Sequence, residues 1–187
     1  QFAAIPFNLT VPGADVDYLN TGAWSAKAIA EARRYCTVNV AADAAASKYT
    51  TVPAQTDWQR SSSAAYLHYT PNETIGGVEF PFVPDTGDVP LVADFSSTIL
   101  SRPLEVSRFG VIYAGAQKNI GPAGLVVVIV REDLLGRARP DTPTVFDWKA
   151  QSRTTMSLKP LASSPRAIHQ RDDHQRRKRV QPVARPG

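Results

Sequence analysis

The sequence predicts an α/β domain in which a mostly parallel β-sheet is flanked by helices. Short apolar runs alternate with a helical pattern and with polar connections along residues 1–151, as in chains that build parallel sheets. Of the 187 residues, 43% are apolar and 20% are charged, a composition typical of globular domains. The remaining residues, 152–187, differ in composition and are predicted to form a disordered C-terminal tail.

The elements are predicted from hydrophobic periodicity. A helix is predicted over Ala23–Tyr35, because Ala26, Ile29, Ala30 and Arg33 recur at helical spacing. Runs rich in β-branched, aromatic or other apolar residues predict six strands. These strands are Val38–Val40, Ala65–Tyr69, Val78–Val83, Leu91–Ala93, Val111–Ala114 and Leu125–Val130.

A single lysine follows the fifth predicted strand. Lys118 lies among small residues between the apolar runs Gly110–Tyr113 and Leu125–Val130. Because both runs are predicted to be buried strands, we expect this lysine to be shielded from bulk water. An amine kept from water loses proton affinity, as a lysine that forms a Schiff base requires. Spacing alone leaves open the alternative of a solvated surface lysine.

A carboxylate ends another predicted strand. The run Val89–Asp94 is apolar up to its last residue and is followed by Phe95-Ser-Ser97. In open α/β sheets, ligands bind outside the carboxyl ends of strands, where both Asp94 and Lys118 fall. A pyridoxal phosphate enzyme needs a lysine for the cofactor aldehyde and an acid for its pyridinium nitrogen. The order and separation of Asp94 and Lys118 fit that pair.

Five segments, in chain order, carry a resemblance to a known family. They are Gly22–Trp24 with Ala32–Cys36, Tyr69–Phe80, Asp94–Ser97 with Ser101–Pro103, Tyr113–Gly124, and Val130–Gly136. With these segments the chain resembles the phosphoserine aminotransferase family of the class V aminotransferases, from residue 1 to about residue 151. The resemblance implies part of the large domain of a fold-type-I transferase and a cytoplasmic homodimer. It also implies transfer of an amino group between glutamate and 3-phosphohydroxypyruvate, which gives phosphoserine and 2-oxoglutarate.

The resemblance assigns roles to five residues. Lys118 would form the Schiff base with pyridoxal phosphate and shuttle the proton, and Asp94 would pair with the pyridinium nitrogen. Trp24 would stack on the cofactor ring, Thr74 would hydrogen-bond its phenolic oxygen, and Gln117 would lie close to its phosphate. Without the resemblance, Trp24 could equally be a core residue and Thr74 a turn or cap residue.

Other classes of site find little support in the sequence. No histidine or cysteine spacing predicts a metal site, and His68, inside an apolar strand, is interpreted as structural. The single cysteine, Cys36, excludes an internal disulfide and is interpreted as a packing residue, in keeping with a cytoplasmic location. No run approaches the roughly 18 apolar residues that a membrane span needs.

The C-terminal tail is strongly basic. Residues 1–150 hold 12 basic and 15 acidic side chains, whereas residues 151–187 hold nine and two. The run Arg176–Arg179 is typical of nuclear-localisation or nucleic-acid-binding patches. A nucleic-acid-binding protein is therefore an alternative function, although charge runs are more often merely solvated, and we expect no nucleic-acid partner. A non-catalytic remnant that associates with a full-length partner is a second alternative.

A frame error would explain the tail. Codons permitted for Arg153–Met156 encode Glu-Asn-Asp-Asn in the neighbouring frame, which is close to the segment with which the family continues. We hypothesise that residues 152–187 are out-of-frame translation, which the coding DNA would reveal. The resemblance places substrate-binding residues on both sides of this chain. We therefore expect the chain to be an incomplete, inactive fragment that binds the cofactor weakly or not at all.

Overall fold

The computed structural model of the chain describes residues 1–154. The α-helices are α1 (Ala4–Leu9), α2 (Ala23–Ala32) and α3 (Trp148–Thr154). The strands are β1 (Asp15–Asn20), β2 (Thr37–Asp43), β3 (Leu67–Tyr69), β4 (Asn72–Glu73), β5 (Val78–Glu79), β6 (Leu91–Asp94), β7 (Val111–Gly115) and β8 (Val126–Val130). Among these residues, no helix has the length and apolar character needed to cross a lipid bilayer.

Six strands form one sheet in the order β2-β1-β3-β6-β7-β8. The first five strands of this order run parallel, and only the last pair, β7 with β8, is antiparallel. The mostly parallel sheet that the sequence predicts is therefore confirmed. β4 and β5 form a separate two-stranded antiparallel hairpin. The carboxyl ends of β3, β6 and β7 lie side by side, because these strands are parallel neighbours.

The sheet separates two apolar cores, because successive side chains of a strand point to opposite faces. One core joins strand residues to the helices and contains Val16, Tyr18, Ile29, Val92, Val111 and Trp148. The other is closed by aromatic side chains from loops and contains Leu19, Trp58, Leu67, Phe80, Leu91 and Phe109. The central strands β3, β6 and β7 are thus buried on both faces. The backbone at the ends of these strands is therefore rigid, and it holds the side chains there in fixed positions.

Several predicted elements have different bounds in the structure. The predicted helix Ala23–Tyr35 ends at Ala32, and its last three residues form a turn. The predicted strand Val78–Val83 is only the two-residue β5, which pairs in the hairpin and not in the main sheet. The sequence pattern does not predict α1, β1, β4 or α3.

The prediction that Leu125–Val130 is a buried strand was wrong. This run does form β8, but Val126 is 53% exposed and Ile129 is 38% exposed. The reason is topological, since β8 lies at the edge of the sheet and pairs only with β7. Only Val128 and Val130 of this strand pack against a core.

Candidate active site

A cavity of about 200 Å³ borders the carboxyl ends of β6 and β7. The five residues predicted for the site all line it: Trp24, Thr74, Asp94, Gln117 and Lys118. The structure thus brings together side chains that are up to 94 positions apart in the sequence. Asp94 and Lys118, which chemistry alone singled out, face one cavity and do not lie on opposite surfaces.

A larger hollow of about 570 Å³ lies beside the amino end of β1. It is lined by Asp15, Asn39, Trp58, Gln59, Arg60 and Ser61. None of the predicted site residues borders it, and it contains neither a lysine nor a buried carboxylate among its lining residues. We therefore take the smaller cavity as the candidate site, since it combines a nucleophile with a buried acid.

Asp94 is the last residue of β6, and only 6% of it is exposed. Burial raises the pKa of its carboxyl, because a charged group loses its hydration there. Hydrogen bonds oppose this effect: Ser96 donates its backbone N–H at 3.0 Å and its hydroxyl at 2.6 Å to Asp94 Oδ1. The Ser96 hydroxyl in turn accepts the backbone N–H of Gly115 at 3.1 Å, which links the ends of β6 and β7.

Two further buried side chains lie behind the carboxylate. Tyr113, the register partner of Asp94 on β7, faces Asp94 with its hydroxyl, and this interaction lowers the pKa of that carboxyl. The same hydroxyl lies 2.9 Å from Nε2 of His68, on β3. His68 is fully buried, and burial lowers its pKa to about 3. Neither residue was among the predicted site residues, because a tyrosine and a histidine inside apolar strands look like core residues in the sequence.

Lys118 lies in the loop that follows β7, and its side chain is exposed. The expectation of a lysine shielded from water was therefore wrong for the described residues, because the neighbouring β8 is itself an exposed edge. The lysine Nζ donates a hydrogen bond of 2.7 Å to the Thr74 hydroxyl and lies 6.0 Å from the centroid of the Trp24 ring. The amine is therefore held at the mouth of the cavity by its contacts and not by burial.

Trp24 is held by the start of α2. The carboxylate of Glu73, which is fully buried, accepts the backbone N–H of Trp24 at 2.9 Å and that of Ser25 at 2.7 Å. A carboxylate is favourable at a helix N-terminus, where backbone N–H groups lack partners inside the helix. Gly22 permits this approach, since a Cβ atom there would lie 2.8 Å from the Glu73 side chain.

Glu73 thus connects two parts of the site. It precedes Thr74 in the chain, and its carboxylate fixes the backbone that carries Trp24. This role of Glu73 was not predicted. Its partners are backbone N–H groups, which nearly every residue type has, so the sequence does not reveal them. The only signal was its place beside Thr74.

Gln117 lies at the outer part of the cavity and is exposed. Its side chain folds over Gly115, where a Cβ atom would lie 2.6 Å from Gln117 Oε1. Its carboxamide offers both a donor and acceptors to a polar group at the cavity mouth.

Together these groups suit a particular class of ligand. An indole face accommodates a flat ring, a buried carboxylate suits a protonated ring nitrogen, and a primary amine can condense with an aldehyde. Among residues 1–154, no group of three or more His, Cys, Asp or Glu side chains is arranged to hold a metal ion. The indole, the carboxylate and the amine together suit an organic heterocycle that carries an aldehyde.

Comparison with protein families gives a match over most of the chain. The family model described as Aminotransferase class-V matches residues 1–160. The phosphoserine aminotransferase of Hahella chejuensis (strain KCTC 2396) is 65% identical over 152 residues, which are 81% of this chain and 42% of that protein. The chain thus spans less than half the length of this curated relative.

Solved structures of similar fold agree with this match. A phosphoserine aminotransferase from Bacillus circulans subsp. alkalophilus superposes with a TM-score of 0.79 at 45% identity, covering 90% of this chain and 46% of that one. A phosphoserine aminotransferase from Trichomonas vaginalis with bound pyridoxal phosphate gives a TM-score of 0.75 at 41% identity, covering 90% and 47%. Both are similar to this chain in fold and in sequence.

Proposed function

The chain belongs to the class V aminotransferase family, and on that premise we propose that it supplies the pyridoxal phosphate site of a phosphoserine aminotransferase. One observation carries the proposal: the amine of Lys118 and the buried carboxylate of Asp94 line the same cavity, together with the indole of Trp24 and the hydroxyl of Thr74. A lysine and an acid in one cavity are the two charges that pyridoxal phosphate requires of a protein.

The donors and acceptors of the cavity support the fit of this cofactor. Among the described residues, Asp94 forms no salt bridge, so its charge is available to a protonated ring nitrogen. The Thr70 hydroxyl borders the cavity, is buried, and has no hydrogen-bond partner within residues 1–154. A buried polar group costs free energy unless it is paired, so this hydroxyl favours a polar ligand atom beside it.

Each residue then has a proposed task. Lys118 would hold the cofactor through its aldehyde and would move the proton at the substrate α-carbon. Asp94 would hold the ring nitrogen in its protonated form, and Trp24 would bind one face of the ring. Thr74 would bind the phenolic oxygen, and Gln117 would lie near the phosphate. The cofactor itself supplies the electron sink that makes loss of the α proton possible.

The substrates and assembly are part of the same proposal. The names of the relatives and the resemblance of Tyr113–Gly124 support glutamate and 3-phosphohydroxypyruvate as amino donor and acceptor. We extend the proposal to a homodimer in the cytoplasm, as the resemblance implies. Gel filtration of the chain, alone and mixed with a full-length relative, tests the assembly, and migration as separate monomers in both runs would contradict it.

The cofactor proposal is tested by covalent trapping. Because we expect the 187-residue chain to bind the cofactor only weakly, it is mixed with a large excess of pyridoxal phosphate. Borohydride reduction then makes the bond permanent, and mass spectrometry maps the labelled residue. We expect the label on Lys118 and its loss in Lys118→Ala. Lys27→Ala is the matched control, because Lys27 lies 4.5 Å from the centroid of the Trp24 ring but does not line the cavity. Equal labelling of Lys27 and Lys118 would contradict the proposal.

The substrate proposal is tested in a chimera. The matching segment of the Hahella chejuensis phosphoserine aminotransferase is replaced by the aligned part of this chain, which is 65% identical to it. We expect phosphoserine formation to persist in the chimera and to disappear when Lys118 is replaced by Ala. A folded chimera that binds the cofactor but makes no phosphoserine would refute the substrate assignment and leave the cofactor site standing.

A further inference from the structure

His68, Tyr113 and Asp94 form a row of side chains on three adjacent strands. They lie on β3, β7 and β6, and β6 runs between the other two strands. Asp94 is the register partner of Tyr113, and all three residues are buried. Tyr113 and Asp94 line the cavity, whereas His68 lies deeper in the sheet.

We propose that His68 and Tyr113 are positioning residues, which act through a directed hydrogen-bond chain, His68 Nε2–H to the Tyr113 hydroxyl to the Asp94 carboxylate. The chain would hold the carboxylate charged and aimed into the cavity. The role of this hydrogen-bond chain toward the cofactor rests on the proposed function, in which Asp94 contacts the ring nitrogen. The positions of the protons on His68 and Tyr113 do not depend on the cofactor.

The direction of the chain follows from what each group can donate. An ionised carboxylate only accepts hydrogen bonds, so the Tyr113 hydroxyl must donate its single proton to Asp94. The same hydroxyl lies 2.9 Å from His68 Nε2 and can then only accept there. His68 must therefore carry its proton on Nε2.

The other ring nitrogen of His68 agrees with this tautomer. His68 Nδ1 is buried and has no hydrogen-bond partner within the described residues. Buried N–H groups without an acceptor are rarer than buried acceptors without a donor. An unprotonated Nδ1 is therefore the less costly arrangement. The low pKa of His68, caused by burial, keeps the ring neutral, so that it donates one proton only.

The hydrogen-bond chain from His68 complements the two hydrogen bonds that Ser96 donates to Asp94. Both Ser96 bonds reach Oδ1 of Asp94 from the segment just after β6, whereas Tyr113 approaches from β7. All three donors belong to neutral groups, so they stabilise the carboxylate without cancelling its charge. Lys118 interacts electrostatically with Asp94 but forms no salt bridge with it within the described residues. The charge therefore stays available to a cation in the cavity.

Aromatic packing holds His68, the first residue of the hydrogen-bond chain, in place. The ring of Tyr18, on β1, stacks on His68 with centroids 4.7 Å apart and planes at 21°. The Tyr18 hydroxyl bonds that of Tyr66 at 2.9 Å and does not serve Asp94. Tyr18→Phe is therefore a matched control, since it removes a buried tyrosine hydroxyl next to His68 but outside the proposed chain.

The test uses nuclear magnetic resonance on the 187-residue chain without added cofactor. ¹⁵N spectra of the unsubstituted chain should show His68 protonated on Nε2. ¹³C-carboxyl titrations should show the pKa of Asp94 about one pH unit higher in Tyr113→Phe than in the unsubstituted chain, which is a tenfold smaller acid dissociation constant. In Tyr18→Phe the pKa of Asp94 should be unchanged. A proton on Nδ1 would overturn the inference, as would equal Asp94 titrations in the unsubstituted and Tyr113→Phe proteins.

A second measurement links the chain to the cofactor. Titration with pyridoxal phosphate should give about tenfold weaker labelling of Lys118 in Tyr113→Phe than in Tyr18→Phe. Equal labelling of these two variants would overturn the positioning role. Absence of label from the unsubstituted chain, even at a large excess of pyridoxal phosphate, would instead refute the proposed cofactor site and would leave the measured proton positions unaffected.

Discussion

The Nζ of Lys118 lies 2.7 Å from the Oγ1 of Thr74, although 44 positions separate them in the sequence. Lys118 follows β7 and Thr74 follows β4, so this bond joins the main sheet to the small hairpin. Because the lysine is exposed, this contact is what localises the amine at the cavity.

Replacing Thr74 with Val should weaken cofactor binding. Valine keeps the shape of the side chain but removes the hydroxyl that bonds Lys118 and, in the proposal, the phenolic oxygen of the cofactor. We expect about tenfold weaker binding, since one hydrogen bond contributes about 1 kcal/mol. Absorbance titration with pyridoxal phosphate measures it. Thr50→Val is the control, because the Thr50 hydroxyl bonds Ser47 O in an exposed turn and Thr50 does not line the cavity. Equal affinities of the two variants would contradict the prediction.

Replacing Glu73 with Gln should destabilise the fold. The Glu73 carboxylate accepts two backbone N–H groups, and the amide group of glutamine would turn a donor toward one of them. We expect a loss of about 2 kcal/mol in the free energy of unfolding, the cost of a mismatched buried pair. Urea unfolding measures it.

Glu79→Gln is the matched control for that substitution. Glu79 belongs to the same hairpin, but it is exposed and pairs with Arg102 at the surface. Exposed ion pairs contribute little, so we expect a change below about 1 kcal/mol. If both substitutions cost the same, Glu73 has no special role at the start of α2.

Replacing Gly22 with Ala should displace Glu73. The new Cβ atom would lie 2.8 Å from Glu73 Cγ and Cδ, and Glu73 is buried and cannot move aside freely. We expect a loss of about 1–3 kcal/mol in the free energy of unfolding, as for other overpacked sites. Gly121→Ala is the control, since a Cβ atom there meets nothing within 4 Å. A Gly22→Ala protein as stable as Gly121→Ala in urea would show that the contact can relax.

The parts of the site that could be predicted from the sequence are the charged residues at the ends of apolar strands. Asp94 and Lys118 could be found because each places a charge at or shortly after the end of an apolar run, and parallel strands bring such ends together. Glu73 could not be found in this way. Its partners are backbone amides at the start of α2, 48 and 49 positions earlier in the chain.

Two of the errors of strand prediction, those at β1 and β8, have clear physical causes. β1 was missed because Asp17 interrupts its apolar pattern, and this carboxylate is buried only because it accepts hydrogen bonds from Asn39 Nδ2 and the backbone N–H of Ser61. β8 was taken for a buried strand because its apolar run matches that of a central strand. Its place at the edge depends on the order of strands, which hydrophobicity does not encode.

Stability should fall in mild acid because of His68. The pKa of its imidazole is lowered from 6.5 to about 3 by burial, so between these values the unfolded chain binds a proton that the folded chain does not. Stability contributed by this group is therefore complete above the unfolded pKa and is lost as the pH falls below it. From about pH 7 to about pH 5, we expect a loss of about 2 kcal/mol from this residue alone.

His68→Gln isolates the effect. Glutamine does not titrate and can still donate a hydrogen bond to the Tyr113 hydroxyl, so its unfolding free energy should depend less on pH over this range. Every other titratable group is common to both proteins, and its contribution largely cancels in the difference between the two curves. Urea unfolding at several pH values gives that difference, which should shrink by about 2 kcal/mol between about pH 7 and about pH 5. Parallel curves would mean that His68 takes up a proton in the folded protein as readily as in the unfolded chain. At about pH 5 the ring would then be charged, and it would no longer be the neutral donor on which the hydrogen-bond chain to Asp94 depends.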